Sequence, residues 1–176
     1  DNGNELVIQN HYIMSPKDLC TVDFLDKFLG AGVRVLKIEG RARSAEYVKR
    51  VVECYDEALR ALEAGTYTPE FAAGLKERLA TVFNRGFWGG YYMGARMDEW
   101  SGVYGSAATK RKVFVGKVTN YFKKIGVAEI WVEAAPLSVG DETFIVGETT
   151  GVVEFPSEEI RVDEKPVQTT RGILFR

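Results

Sequence analysis

Apolar and polar residues follow two different rhythms along this chain, and the change of rhythm divides it. Glu5 to Met14, with Leu6-Val7-Ile8 and Tyr12-Ile13-Met14, reads as an extended stretch. Ser15-Pro16 ends it, because a proline ring biases its predecessor away from helix. Asp18 or Thr21 caps a short predicted helix through Phe28-Leu29, which Gly30 and Gly32 stop. Val33 to Ile38 is the next predicted strand. Ser44 caps a helix to about Glu63, on which Val48, Val51, Val52, Tyr55, Leu59 and Leu62 form a stripe. Thr68-Pro69 opens another, with proline at the first helical position, and Phe71, Leu75, Leu79, Val82 and Phe83 carry its stripe to Asn84.

Gly86 to Gly94 interleaves glycines with Phe87, Trp88, Tyr91 and Tyr92, which either line a ligand groove or, the commoner use of such aromatics, tuck the loop onto the core. From Ala95 to Thr109 periodicity is lost and Ser and Gly accumulate, as in a linker. Beyond it the period becomes two. Val113 to Phe122 and Ile125 to Glu133 read as strands joined through Lys123-Lys124 in a hairpin. Pro136 to Asp141 is a turn, and Thr143–Val146, Gly151–Phe155, Ile160–Val162 and Ile173–Phe175 complete five or six strands. Strands this short with turns this frequent predict a small closed β-barrel. The fold class is therefore α+β, with residues 1–95 forming one region, 96–110 a linker and 111–176 the barrel.

With 176 residues and 45% apolar content the chain is long enough to bury a core, and no run reaches the length of a membrane span. The polar start, Asp1 to Glu5, has no signal-peptide character, and two cysteines are too few for a disulfide framework; both features fit a reducing cytoplasm. The missing initiator Met and the strand-like Gly172 to Arg176 predict a piece of a longer protein. Net charge is −2, but Lys110 to Lys124 holds six basic residues and no acid, whereas Ile125 to Glu164 holds ten acids and one base, Arg161. Lys110, Lys112, Lys117, Lys123 and Lys124, interleaved with Phe114, Tyr121 and Phe122, form either an RNA-binding patch or a solvated strand face.

Lys37, Glu39 and Arg41 alternate with Leu36 and Ile38, so an extended strand places three charges on one face, as at the mouth of an α/β barrel or on an ordinary surface strand. Ile38-Glu39-Gly40-Arg41 also has the form of a protease-cleavage linker, but apolar periodicity continues unbroken on both sides. No cysteine pair has metal-ligand spacing, and His11 has no nucleophile partner in sequence. Cys54, on the helix beside the apolar stripe, reads as a buried packing residue. Cys20, just after the proline turn, reads as a packing thiol or as one metal ligand of a larger set.

Ser15-Pro16-Lys17-Asp18-Leu19-Cys20, Leu36-Lys37-Ile38-Glu39-Gly40-Arg41 with Ser44, Tyr47 and Val48, and Asn84-Arg85-Gly86-Phe87 resemble the later part of the collagenase-like peptidases of family U32. Lys117 to Ala128 and Leu137-Ser138-Val139-Gly140-Asp141 resemble that family's C-terminal β-barrel, itself like the second domain of translation factors. The resemblance implies that residues 1–95 are the closing βα units of a partial (βα) barrel whose preceding portion is missing here. It implies an intact enzyme acting as a peptidase or, as in relatives that carry an iron-sulfur cluster on four cysteines, as a hydroxylase of RNA, with the fragment inactive alone. Cys20 matches the last cluster cysteine, Lys37, Glu39 and Arg41 would contact substrate, and no cluster is expected in this piece alone. The partners implied are RNA or a protein substrate, the rest of the barrel and a second copy in a dimer.

Overall fold

The computed structural model describes residues 15–94 and 100–170 and divides the chain into two compact units, 1–110 and 111–176. The extended stretch expected before Met14, His11, and the strand expected at 173–175 lie outside the described residues.

In the first unit, β1 (Asp18–Leu19) leads through a 3-10 turn (Val22–Phe24) into α1 (Leu25–Gly30). α2 (Ala45–Glu63) and α3 (Pro69–Leu79) follow, and β2 (Phe87–Trp88) returns to pair in parallel with β1. Thr68 caps α3 by accepting the Phe71 amide at 3.1 Å, with Pro69 preset for the first turn. Ser44 sits at the start of α2 in extended geometry, but its hydroxyl donates to Glu46 at 2.5 Å and caps no amide.

α2 presents Val51, Cys54, Ala58 and Ala61 to the core, together with Val22, Leu25, Leu75 and Leu79. This seam is rotated from the predicted stripe. Val48 and Val52 are exposed, and Tyr55, Leu59 and Leu62 flank the seam. Small side chains at positions 54, 58 and 61 let the neighbouring backbone approach closely, so the narrow face packs inward and the bulky residues wrap its edges. Arg78 grips Glu57 with Nη2 to Oε1 at 2.8 Å, tying α3 to α2, and Lys76 pairs with Asp23 of the 3-10 turn. α3 stops at Leu79 rather than near Asn84. Asn84 is buried, its amide donating to the carbonyls of Ala80 and Val82 at 3.2 and 2.9 Å, so one side chain satisfies carbonyls of the turn that leaves the helix.

Val33–Ile38, expected as a strand, joins no β-ladder among the described residues, and Val35 is 83% exposed. In the segment expected as a linker, the Ser101 amide donates to Ser15, Ala107 to Asn84 and Thr109 to Ala80, at 2.7–2.9 Å.

The second unit is a series of antiparallel pairs: β3 (Gly116–Phe122) with β4 (Val127–Val132), β5 (Glu142–Gly147) with β6 (Gly151–Pro156), and β7 (Ile160–Val162) with β8 (Lys165–Val167). The ladders described are two-stranded and do not join into a closed barrel. The β3–β4 connection is the four residues Lys123 to Gly126, with Gly126 at φ +68, rather than a two-residue Lys-Lys turn. A two-residue hairpin needs left-handed residues, which lysine disfavours and glycine supplies.

Candidate functional site

Three stretches of sequence far apart in the chain meet at the Asp18 carboxylate. Its Oδ1 accepts from Arg43 Nη2 at 2.7 Å and its Oδ2 from the Arg85 amide at 2.8 Å. The Asp18 amide in turn donates to the Gly86 carbonyl at 2.9 Å, and Asn84 Oδ1 accepts the Gly86 amide at 3.0 Å. Gly86 has φ +82, which a side chain would strain. The Arg43 guanidinium carbon lies over the Phe83 ring, 4.3 Å from its centroid, and over the Tyr47 ring at 5.2 Å, so the cation meets two aromatic rings as well as its hydrogen-bonded carboxylate. Asp18 and Arg43 retain 20% and 16% side-chain exposure, so the pair is shielded and well placed to fix geometry.

Arg43 belongs to a turn that carries the predicted polar residues. The Arg43 amide donates to the Gly40 carbonyl at 3.0 Å, the Glu39 carboxylate accepts the Arg41 amide at 2.8 Å, and Ala42 sits at φ 56. The expectation of one extended charged face over residues 37–41 is corrected here: Glu39 folds back on its own backbone and Arg41 occupies a tight turn. A chain bound by this local hydrogen bond cannot keep strand alternation. Lys37, Glu39 and Arg41 are all exposed.

Cys20 is 4% exposed and packs with Val22, Leu25, Val51, Cys54 and Leu75 in the core; burial pushes its thiol up from the ordinary value. Cys54 is shifted the same way by burial. The Tyr55 hydroxyl accepts the Thr21 amide at 3.0 Å and bonds the Thr21 hydroxyl at 3.1 Å; burial pushes it up to about 12. A cluster or nucleophilic cysteine needs a stabilised thiolate, and desolvation disfavours one. Among the described residues no three His, Cys, Asp or Glu side chains stand together to hold a metal. The described donor set does not by itself fit an iron-sulfur cluster.

Of the predicted RNA-binding lysines, Lys110 belongs to the first unit and the others to the second. The Lys112 ammonium lies 5.9 Å from the Phe144 ring centroid, Lys117 pairs with Glu133 at 3.2 Å, and Lys123 and Lys124 lie exposed in the β3–β4 turn. The structure thus brings Lys117, Lys123 and Lys124 onto one hairpin. Its pairings Lys117↔Trp131, Asn120↔Glu129 and Phe122↔Val127 share the outward face, while Ala128, Ile130 and Val132 turn inward. Trp131 is 64% exposed, a large aromatic where a solvated strand ordinarily carries a polar residue.

Sequence reading missed Asp18, Arg43 and Phe83 as a unit and missed Trp131. The alternation of β4 would have placed Trp131 outward; nothing local signals the Asp18 contacts. In the aromatic loop, Phe28 meets Tyr92 edge-on at 4.7 Å and Trp88 meets Tyr91 at 5.1 Å, so the loop packs onto the unit while Tyr91, Tyr92 and Met93 stay exposed. A shallow cleft of about 380 Å³ lined by Asp23, Ala73, Lys76, Glu77, Ala80 and Phe87 holds none of the predicted site residues. No described helix is long and apolar enough to cross a membrane.

These features define an α+β protein whose motif residues converge on a shielded carboxylate–guanidinium pair beneath an exposed charged turn, with a separate unit of β-hairpins. Residues 1–102 match the profile of Peptidase family U32, and the chain belongs to that family. It is 54% identical over 173 residues to a collagenase of Porphyromonas gingivalis, covering 98% of this chain and 42% of the relative. It is 34% identical to an uncharacterized protease of Methanocaldococcus jannaschii, covering 97% of this chain and 42% of that one. It is also 33% identical over 123 residues to the tRNA hydroxylation protein P of Haemophilus influenzae, covering 69% and 26%. The chain therefore spans less than half the length of these curated relatives. No solved structure matches.

Proposed function

We propose that this chain is the substrate-gripping part of a longer U32-family enzyme acting on RNA. In the first unit Lys37 and Arg41 meet phosphates; in the second, the β3–β4 hairpin stacks bases on Trp131 and Phe122 while Lys123 and Lys124 at its tip meet the backbone. The observation that carries this reading is the outward face of that hairpin, which combines exposed aromatic rings with basic residues at its tip. Likeness to a tRNA hydroxylation protein supports the choice of RNA. The closing of the β-hairpins into a barrel, and of the first unit into a larger (βα) barrel, belongs to the same proposal.

The test is a titration of the full chain with bulk transfer RNA at several salt concentrations. Binding should weaken as salt rises, and Lys123→Ala with Lys124→Ala should lower the slope of log affinity on log salt by about 2. Trp131→Ala should cost about 1 to 3 kcal/mol of affinity at every salt. Undetectable or salt-independent binding sinks the proposal.

A second reading is proteolysis, favoured by the 54% identity to a protein named collagenase. Peptide-bond hydrolysis needs an activated nucleophile or water. The described cysteines are buried with raised thiols, and the sole histidine lies outside the described residues. Incubating the longer protein with denatured collagen, beside a mock preparation, separates the two readings.

A further inference from the structure

The geometry points to Arg43 as a positioning residue that, held by Asp18, sets the place of Arg41 for contact with an anionic phosphodiester. This rests on the proposed role of Arg41 in the RNA reading. Arg41 is exposed and its own backbone is held by two short-range bonds, Glu39 Oε1 to its amide at 2.8 Å and the Gly40–Arg43 turn at 3.0 Å. A turn of that size does not hold itself against solvent, least of all with Ala42 at φ 56, where an L residue is strained. Something outside the turn must over-determine it, and the described contacts supply that on two sides.

On one side Gly40 approaches α2 so closely that a Cβ there would lie 3.0 Å from Val48 Cγ2. On the other the Arg43 side chain is held by three partners: Asp18 Oδ1 at 2.7 Å, the Phe83 ring at 4.3 Å and the Tyr47 ring at 5.2 Å. Asp18 is itself immobilised, since its second oxygen takes the Arg85 amide and its backbone pairs with Gly86. The strained turn is thereby anchored to the β1–β2 ladder through one guanidinium. Lysine could keep the charge but not a delocalised guanidinium's simultaneous contact with both rings and with Asp18, so the arrangement favours arginine.

A coupling experiment on the full chain tests this. Affinity for bulk transfer RNA at fixed low salt is measured for Arg41→Ala, Arg43→Lys and the double variant, with Arg60→Lys, a surface pair with Asp56 on α2, as control. Amide hydrogen exchange over residues 37–44 is followed in parallel. Arg41→Ala and Arg43→Lys should each weaken binding by about tenfold, and the double variant no more than either single one, because the second residue acts through the first. Exchange over 37–44 should rise in Arg43→Lys while that of α2 stays unchanged. Should Arg43→Lys not fold, Asp18→Asn releases the same guanidinium and takes its place. Additive losses in the double variant, or unchanged exchange over 37–44, overturn the inference. If wild type fails to bind transfer RNA, the RNA reading and the Arg41 contact fall, while the exchange result still decides whether Arg43 holds the turn.

Discussion

In the first unit Val22, Leu25, Cys54 and Ala58 are wholly shielded from solvent, whereas in the second Leu137 and Ser157 are the buried residues among those described. The first is held by side chains meeting between helices; the second is held by backbone ladders and by turns whose dihedral angles suit their strands. Residue changes should therefore hurt through lost volume in one and through backbone geometry in the other. The first unit's shielding also allows a strained turn to be anchored by a single ion pair, while the second unit's openness leaves aromatic rings facing water. Those are the two properties the functional proposal uses.

The largest effect should come from Leu25→Ala. Leu25 is fully buried against the α2 and α3 seam, so truncation removes its transfer energy and leaves a cavity, costing about 3 to 5 kcal/mol. Urea unfolding followed by far-UV circular dichroism measures it, and a loss under 1 kcal/mol would show that the helices repack and that the seam is not the source of stability. The matching break in the second unit is Gly116→Ala, where no cavity forms. A Cβ at that position would lie 1.9 Å from the Trp131 carbonyl oxygen, so β3 must pull away from β4. We expect a cost of about 2 to 3 kcal/mol and faster amide exchange confined to residues 116–132; ordinary exchange there would contradict the ladder register.

Tyr55 sharpens the contrast, because only a shielded region displaces a phenol this far. Its folded value of about 12 lies above the ordinary 10, so the neutral form is favoured in the fold. The stabilisation it gives is complete below pH 10 and is lost as pH rises from 10 through 12, since the unfolded chain releases its proton first. The Cys20 thiol, also raised by burial, adds loss in the same direction above its ordinary value of 9. Tyr55→Phe should flatten the alkaline limb of a stability–pH curve and cost about 1 to 2 kcal/mol at pH 7, because the Thr21 amide loses its acceptor. An unchanged alkaline limb would mean that the phenol is hydrated.

What could be read from the residues follows the same division. The Thr68-Pro69 start of α3 was legible because a cap and a fixed φ act within four residues. The strands β5, β6 and β7 were legible as short runs rich in β-branched and aromatic residues set between turns. The inward face of α2 was read in part: Val51 and Cys54 were expected to pack and do, whereas Ala58 and Ala61 were missed because small size, not hydropathy, selects them for the seam. The Asp18 node was invisible: its partners lie 25 and 67 residues away, and no periodicity encodes a carboxylate's choice of guanidinium. Of the residues the proposal uses, Arg41 and the hairpin lysines were candidates from the sequence, whereas the side chains that hold or accompany them were not.

The smallest predicted effect lies in the turn between β7 and β8, which the sequence did not reveal because Asp163-Glu164 lacks the Asn-Gly or Asp-Gly signature and Pro166 argues against a strand. Asp163 and Glu164 sit at φ 49 and 61, the pair of left-handed residues that a two-residue hairpin of the native twist requires. Aspartate tolerates that region through local hydrogen bonding, but glutamate carries the full cost of about 1 kcal/mol or more. Glycine at 164 removes that strain and adds back about 0.5 to 1 kcal/mol of freedom to the unfolded chain. Glu164→Gly should therefore stabilise the hairpin by a few tenths of a kcal/mol, read as slower exchange at residues 160–167, whereas Asp163→Gly should give no gain. If Glu164→Gly instead destabilises, the turn is not held in the left-handed pair, and the view of this unit as fixed by backbone geometry loses its most local support.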